Sequence, residues 1–154
     1  MFEDAISSAL GKKPFNIRLR ESVKNDIKVN GARKYGERNL DDLSETIPGA
    51  IFKVNLDHSH PISAGLGDYY YALKTDDKIY ELLNKDWSVG VLKPNRYVAG
   101  VVGKGVLKKL DNGMLFGIQS VAKGSVIYHA SDILLRSFWE NGKQMFTNAV
   151  FLVN

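Results

Sequence analysis

The stretch AIFKVNLDHSHP, residues 50–61, decides how the rest of the chain is read. Ile51, Lys53 and Asn55 alternate with Phe52, Val54 and Leu56, the period of two of a strand with one buried face. Asp57-His58-Ser59-His60 follows, and Pro61 stops the pattern by holding His60 extended. A strand that ends in two histidines raises two questions at once: what sheet it joins, and whether the imidazoles hold an ion.

The sheet question is answered outward from this strand. Upstream, residues 1–46 are polar and predicted to be helical in pieces: FEDAISSAL ends at Gly11, and NLDDLSET leads to Pro48. The segment NIRLRESVKNDIKVNG between them fits a strand followed by a helix about as well as one helix. Downstream, YYYALK (69–74), WSVGVLK (87–93) and YVAGVVG (97–103) read as strands, the last two joined through Pro94-Asn95-Arg96 in a hairpin. DDKIYELLNKD (76–86) sets Ile79, Leu82 and Leu83 on one helical face. MLFGIQSVAKGSVIYHA (114–130) gives two strands around Ala122-Lys123-Gly124, with glycine where a positive φ is cheap. The C-terminal stretch 131–154 is predicted helical, capped by Asp132 or Ser131, with Met145, Phe146, Ala149, Val150 and Val153 facing the sheet.

One domain is expected over residues 1–154: a helical polar segment to 46, a sheet region over 47–130 and a C-terminal helix. The closely spaced strands imply a largely antiparallel sheet packed by helices, in a mixed α/β or α+β domain. At 44% hydrophobic residues the chain can bury a core. Its net charge of +4, from 21 Lys and Arg against 17 Asp and Glu, is spread out. Lys12-Lys13, Arg33-Lys34 with Arg38, and Lys104 with Lys108-Lys109 read as solvated faces, and no recognition helix or aromatic-basic motif argues for nucleic acid. With no cysteine, disulfides, thiolate nucleophiles and Cys-ligated zinc within the chain are excluded. MFEDAISSAL places acids where a secretory signal needs basic residues, and no apolar run approaches the ~20 residues of a membrane span.

The chemistry carried by motifs is sparse. On a strand, His58 and His60 point to one side, and a third metal ligand would have to be His129, Asp57 or Asp132. Neither HEXXH nor HXXE with a distant histidine occurs, so His58, His60 and His129 are weak metal candidates. The plainer reading has Asp57 and Ser59 bonding nearby amides and His58 in solvent. GVVGKGVLKK (100–109) matches neither phosphate-binding glycine spacing and reads as a strand end and tight turn. No G-x-S-x-G exists. Asp41-Asp42 and Asp76-Asp77 read as capping or solvated carboxylates. In DYYYALK, Tyr69 and Tyr71 share one face and Tyr70 takes the other, which suits sheet packing with hydroxyls at the rim. Phe138-Trp139 reads as core, with Arg136 available to a carboxylate such as Asp57 or Asp132.

Over residues 33–154 the order of segments resembles the C-terminal end of the large zinc carboxypeptidase-like proteins of Bacteroidetes. The pieces that carry it are Ile47-Pro48-Gly49-Ala50, Leu56-Asp57 with His60-Pro61, and Arg136 through Asn148-Ala149-Val150. In those proteins a carboxypeptidase A-type domain is followed by a domain resembling class I glutamine amidotransferases, of flavodoxin type. The resemblance implies a non-catalytic accessory domain that begins inside the amidotransferase-like fold, with a rearranged sheet or an exposed edge open to a homo-oligomer. It implies zinc only in the parent's upstream peptidase domain, which would be this chain's partner, and a secreted or periplasmic parent. It carries no cofactor here. The other function it leaves open is small-molecule or carbohydrate binding in a cleft near Asp57, His60, Asp132 and Arg136. His58 departs from the family pattern, which has asparagine there.

Overall fold

The computed structural model describes residues 1–20, 43, 44, 46–93, 95–137 and 139–153. It is a mixed α/β domain built on a curled antiparallel sheet with three helices among the described residues. The first helix, α1 (Glu3–Ala9), ends before Gly11, whose φ of 71° suits a residue without a Cβ. Most of 16–31 and of NLDDLSET lies outside the described residues.

The opening stretch forms β1 (Gly49–Leu56), and its side chains alternate as expected: Ala50, Phe52, Val54 and Leu56 are buried, with the intervening ones half-exposed. β2 (Tyr69–Lys74) pairs with it from Ala50↔Lys74 to Asn55↔Tyr69. The second edge of β1 departs from expectation. β3 (Trp87–Val91) and β4 (Tyr97–Val101) form no hairpin with each other. Both lie antiparallel along that same edge of β1, β3 at Asn55↔Val91 and Leu56↔Gly90, β4 from Gly49↔Val101 to Phe52↔Tyr97. They form one interrupted row: between the two strands Lys93 and Asn95 are exposed, and Arg96 O accepts from Lys53 N at 2.8 Å. The physical reason is visible at Leu92, which is 2% exposed and donates its N–H to Gly113 O at 2.8 Å. Burying that side chain takes the chain away from β1 and Asn95, at φ 63°, turns it back.

β3 also pairs with β5 (Met114–Val121), which pairs with β6 (Gly124–His129), giving the order β2-β1-β3-β5-β6. Met114 through Gln119 are all buried, as befits a strand covered on both faces. Phe116 lies across Gly90, where a Cβ would sit 2.3 Å from its ring. The two-residue turn Ala122-Lys123 is where the sequence put it, but the positive φ of 53° falls on Ala122 instead of the glycine.

Two local expectations are revised. Residues 76–86 are irregular and extended, because Tyr80, 1% exposed, bridges Met114 on one side and Leu19 on the other; pairing at the end of the sheet overrides local helical pattern. Ile79 and Leu83 are buried there and Leu82 is exposed. The glycine-rich 100–109 continues past the strand end into a short helix, α2 (Lys104–Lys109), where a tight turn was expected. Arg20 donates to the carbonyls of Lys109, Asp111 and Asn112 at 2.7–3.1 Å and so closes its C-terminal end.

The C-terminal helix, α3, spans Glu140–Phe151 rather than starting at 131. Asp132 does accept from Leu134 N at 3.0 Å, but it caps a turn, and Arg136 and Ser137 then take positive φ values that break any helix. The buried face of α3 is Gly142, Met145, Asn148 and Ala149, while Phe146 and Val150 are exposed. Asn148 explains the rotation. Its amide donates to Ile62 O at 2.9 Å and Ala64 O at 2.7 Å, tying the helix to the turn that follows β1. At Gly142 a Cβ would lie 1.7 Å from Ile133 O, so only glycine permits the approach.

Candidate functional site

The histidine stretch is a locally bonded turn. Asp57 Oδ1 accepts from Ser59 N at 2.9 Å and Ser59 Oγ at 2.6 Å, and these bonds, the hydroxyl first, hold its carboxyl below the usual range. His60 Nδ1 accepts from Ile62 N at 3.2 Å, capping the 3-10 turn Pro61–Ser63, and its ring lies 6.0 Å from that of Trp87. Partial burial lowers its pKa against the opposing pull of Asp57. With Nδ1 spent on a backbone N–H, His60 offers a metal only Nε2. His58 is 41% exposed and lies 3.4 Å from Asp68, itself 94% exposed.

His129 sits elsewhere. Leu56, Gly90, Phe116 and His129 are successive partners across β1, β3, β5 and β6. Three strand spacings place it roughly 14 Å from Leu56. It lies between Phe2, at 5.6 Å, and Phe116, at 5.9 Å, is 2% exposed, and its Nδ1 has no hydrogen-bond partner among the described residues. Burial pushes its pKa down to about 3, with the N-terminal ammonium adding to the effect. Among the described residues no group of three or more His, Asp or Glu gathers where it could hold a metal ion. Nor is any of their helices long and apolar enough to cross a membrane.

The four residues read as a cleft do not converge. Asp57 and His60 stand at the C-terminal end of β1, Arg136 is exposed on its turn, and Asp132 belongs to a different group of side chains. Trp139 is half-buried and donates its indole N–H to Tyr71 O at 2.8 Å, on the outer edge of β2; Phe138 lies outside the described residues. Tyr70 is core, edge-on to Phe116 at 5.1 Å, and burial raises its pKa. Tyr69 and Tyr71 lie on the other face, where Lys53 stands 3.5 Å over the Tyr69 ring.

Asp132 lines a cavity of about 110 Å³ together with Leu73, Lys74, Asp76, Ser131 and Leu135. Lys74 pairs with Ala50, seven residues along β1 from Asp57, or roughly 23 Å. It occupies the third core-facing position of β2 after Tyr70 and Ala72 and is 2% exposed. A lysine so placed must be paired, and its ammonium bonds Asp76 Oδ1. Asp76 Oδ2 and Ser131 Oγ are buried and without a hydrogen-bond partner among the described residues. Sequence reasoning passed over this cluster. The signal was available in the alternation of 69–74, which puts Lys74 on the same face as Tyr70.

An apolar surface completes the inventory. Phe2 stacks on Phe146 at 6.3 Å, both 38% exposed, and Val150, one helical turn on, is 56% exposed. β4 is exposed along its whole length, including Tyr97, Val98 and Val101. Comparison with protein-family models, with curated proteins and with solved structures gave no match.

Proposed function

We propose that the chain is a non-catalytic accessory domain that packs against the peptidase domain of a secreted zinc carboxypeptidase-like protein. The observation that carries the packing role is the exposed apolar surface of Phe2, Phe146 and Val150, with Phe2 stacked on Phe146 and Val150 one helical turn on. The N-terminus lies beside it. Its amino group donates to Ile127 O at 2.5 Å, and burial lowers the amine's pKa.

The parent's identity, and the assignment of this fold as part of an amidotransferase-like, flavodoxin-type domain, rest on the resemblance of residues 33–154. Zinc and catalysis belong, in this reading, to the upstream domain. The gene should encode H-x-x-E and a distant histidine ahead of this segment, and the chain alone should show no carboxypeptidase turnover. Titrating the separately produced upstream domain into the chain should give a complex that Val150→Asp weakens at least tenfold. A gene without the motif, or no heat of binding, refutes the proposal. Self-association abolished by Val150→Asp would assign the surface to a second copy instead.

A further inference from the structure

We infer that Met1 and Phe2 form an acid-released latch: protonation of the buried His129 imidazole lifts the two residues off β6 and takes Phe2 out of the apolar surface it shares with Phe146 and Val150.

The latch is held by few contacts. Met1 bonds the outer edge of β6, the last strand of the sheet, at two points: its amino group donates to Ile127 O, and its carbonyl accepts from His129 N at 2.9 Å. Phe2 covers the His129 ring, with centroids 5.6 Å and planes 29° apart, and also stacks on Phe146. The other ring against the imidazole is Phe116, at 5.9 Å.

A neutral imidazole is tolerated there, and an imidazolium is not. Nδ1 is buried without a hydrogen-bond partner among the described residues, and a charged ring would carry an unpaired N–H at that atom. Burial first, and then the Met1 ammonium, keep the ring neutral while the latch is closed. From the N-terminal side the charge facing the ring is that ammonium. β5 presents Phe116, α3 presents Phe146 stacked on Phe2, and no other charge acts on the ring among the described residues.

Of the two walls, only one can give way. Phe116 is fully buried on β5, edge-on to Tyr70 and lying across Gly90. Phe2 is 38% exposed, and the helix after it, α1, stays seated through buried Ile6 and Ala9. Repulsion between imidazolium and ammonium acts on Met1, next to Phe2, so the new charge pushes on the wall that is free to move. Each pH unit below ~6.5 favours the released form about tenfold, so between pH 7.5 and 4.5 its population rises about 100-fold. Docking should weaken in acid as Phe2 leaves. That consequence rests on the docking role proposed above, whereas release is read in the chain alone, so either can fail without the other.

The test is native-state hydrogen exchange of the ¹⁵N-labelled chain at pH 4.5, 5.5, 6.5 and 7.5, without and with urea below the unfolding transition. The His129 N–H, bonded to Met1 O, reads release, and the Ala130 N–H, bonded to Leu115 O, reads opening of the sheet. Protection of the His129 amide, corrected for intrinsic rates, should fall about 100-fold from pH 7.5 to 4.5 and be independent of urea, while Ala130 exchanges more slowly and accelerates with urea. Phe2→Ala should speed exchange at His129 at every pH, and His129→Phe should remove the pH dependence at that amide. If His129→Phe fails to fold, the urea and pH dependences of the wild type decide alone. Urea dependence equal to that of Ala130 would mean that the two residues leave only when the sheet unfolds, and protection unchanged with pH would mean that the imidazole is protonated beneath Phe2. Either result overturns the inference, as does the same fall in His129→Phe.

Discussion

His129 should make the protein lose stability in mild acid by a definite amount. Its imidazole is 2% exposed between two phenyl rings, and the folded-state pKa of about 3 lies well below the ~6.5 of an unfolded chain. The unfolded state therefore binds a proton that the folded state refuses. Stability is whole above pH 6.5, falls as pH drops below that value at about 1.4 kcal/mol per unit, and levels off near pH 3. Between pH 7.5 and 4.5 this one group should remove about 3 kcal/mol. Carboxylates titrate over part of that range, so the comparison is with His129→Phe, which keeps an aromatic ring between Phe2 and Phe116 and removes both the proton and the unpartnered Nδ1. Urea unfolding of both proteins, followed by tryptophan fluorescence at pH 4.5, 5.5, 6.5 and 7.5, gives the difference directly. The variant should gain on the wild type by about 3 kcal/mol from the highest pH to the lowest. A difference that stays flat across the series would refute the reasoning, because it would mean that the imidazole is protonated in place.

The buried ion pair makes a second prediction. Lys74→Met should cost about 3–5 kcal/mol by leaving Asp76 uncompensated, and Lys74→Met with Asp76→Leu should recover most of it, read as denaturation midpoints. Ala122→Gly should stabilise by about 0.5–1 kcal/mol, since relief of the positive φ outweighs the added freedom of the unfolded chain; a lower melting temperature would show the turn to be unstrained.

What could be read from the sequence follows a physical division. β1, β2 and the β5-β6 hairpin were legible because their alternation and turn residues are local properties, and α1 because Gly11 stops it. The row of β3 and β4 was not, since a proline between two apolar runs signals a turn without saying whether the runs face each other or a third strand. Residues 76–86 carry a helical pattern that the bridge through Tyr80 defeats, and no local feature announces that bridge. α3 was found, but its buried face was misjudged because Asn148, a polar residue, is the one that anchors it. At the histidines the reading of Asp57 as bonding a nearby amide was sound, since its carboxylate accepts from Ser59 N, while the Ser59 hydroxyl donates to that carboxylate and not to the backbone. The Lys74 cluster escaped notice because charged side chains at strand ends are usually solvated, and its partners Asp76 and Ser131 lie 55 residues apart.

The interruption between β3 and β4 has a use in protein engineering. β1 fixes the register of β3 and of β4 separately, through pairs that do not depend on the length of chain between them. Leu92 must stay in the core and Arg96 O must keep the amide of Lys53, at 2.8 Å, but Lys93 and Asn95 are exposed between those anchors. An epitope or affinity tag spliced between Lys93 and Asn95 would therefore leave both strands in register, since closing a longer loop costs little extra entropy.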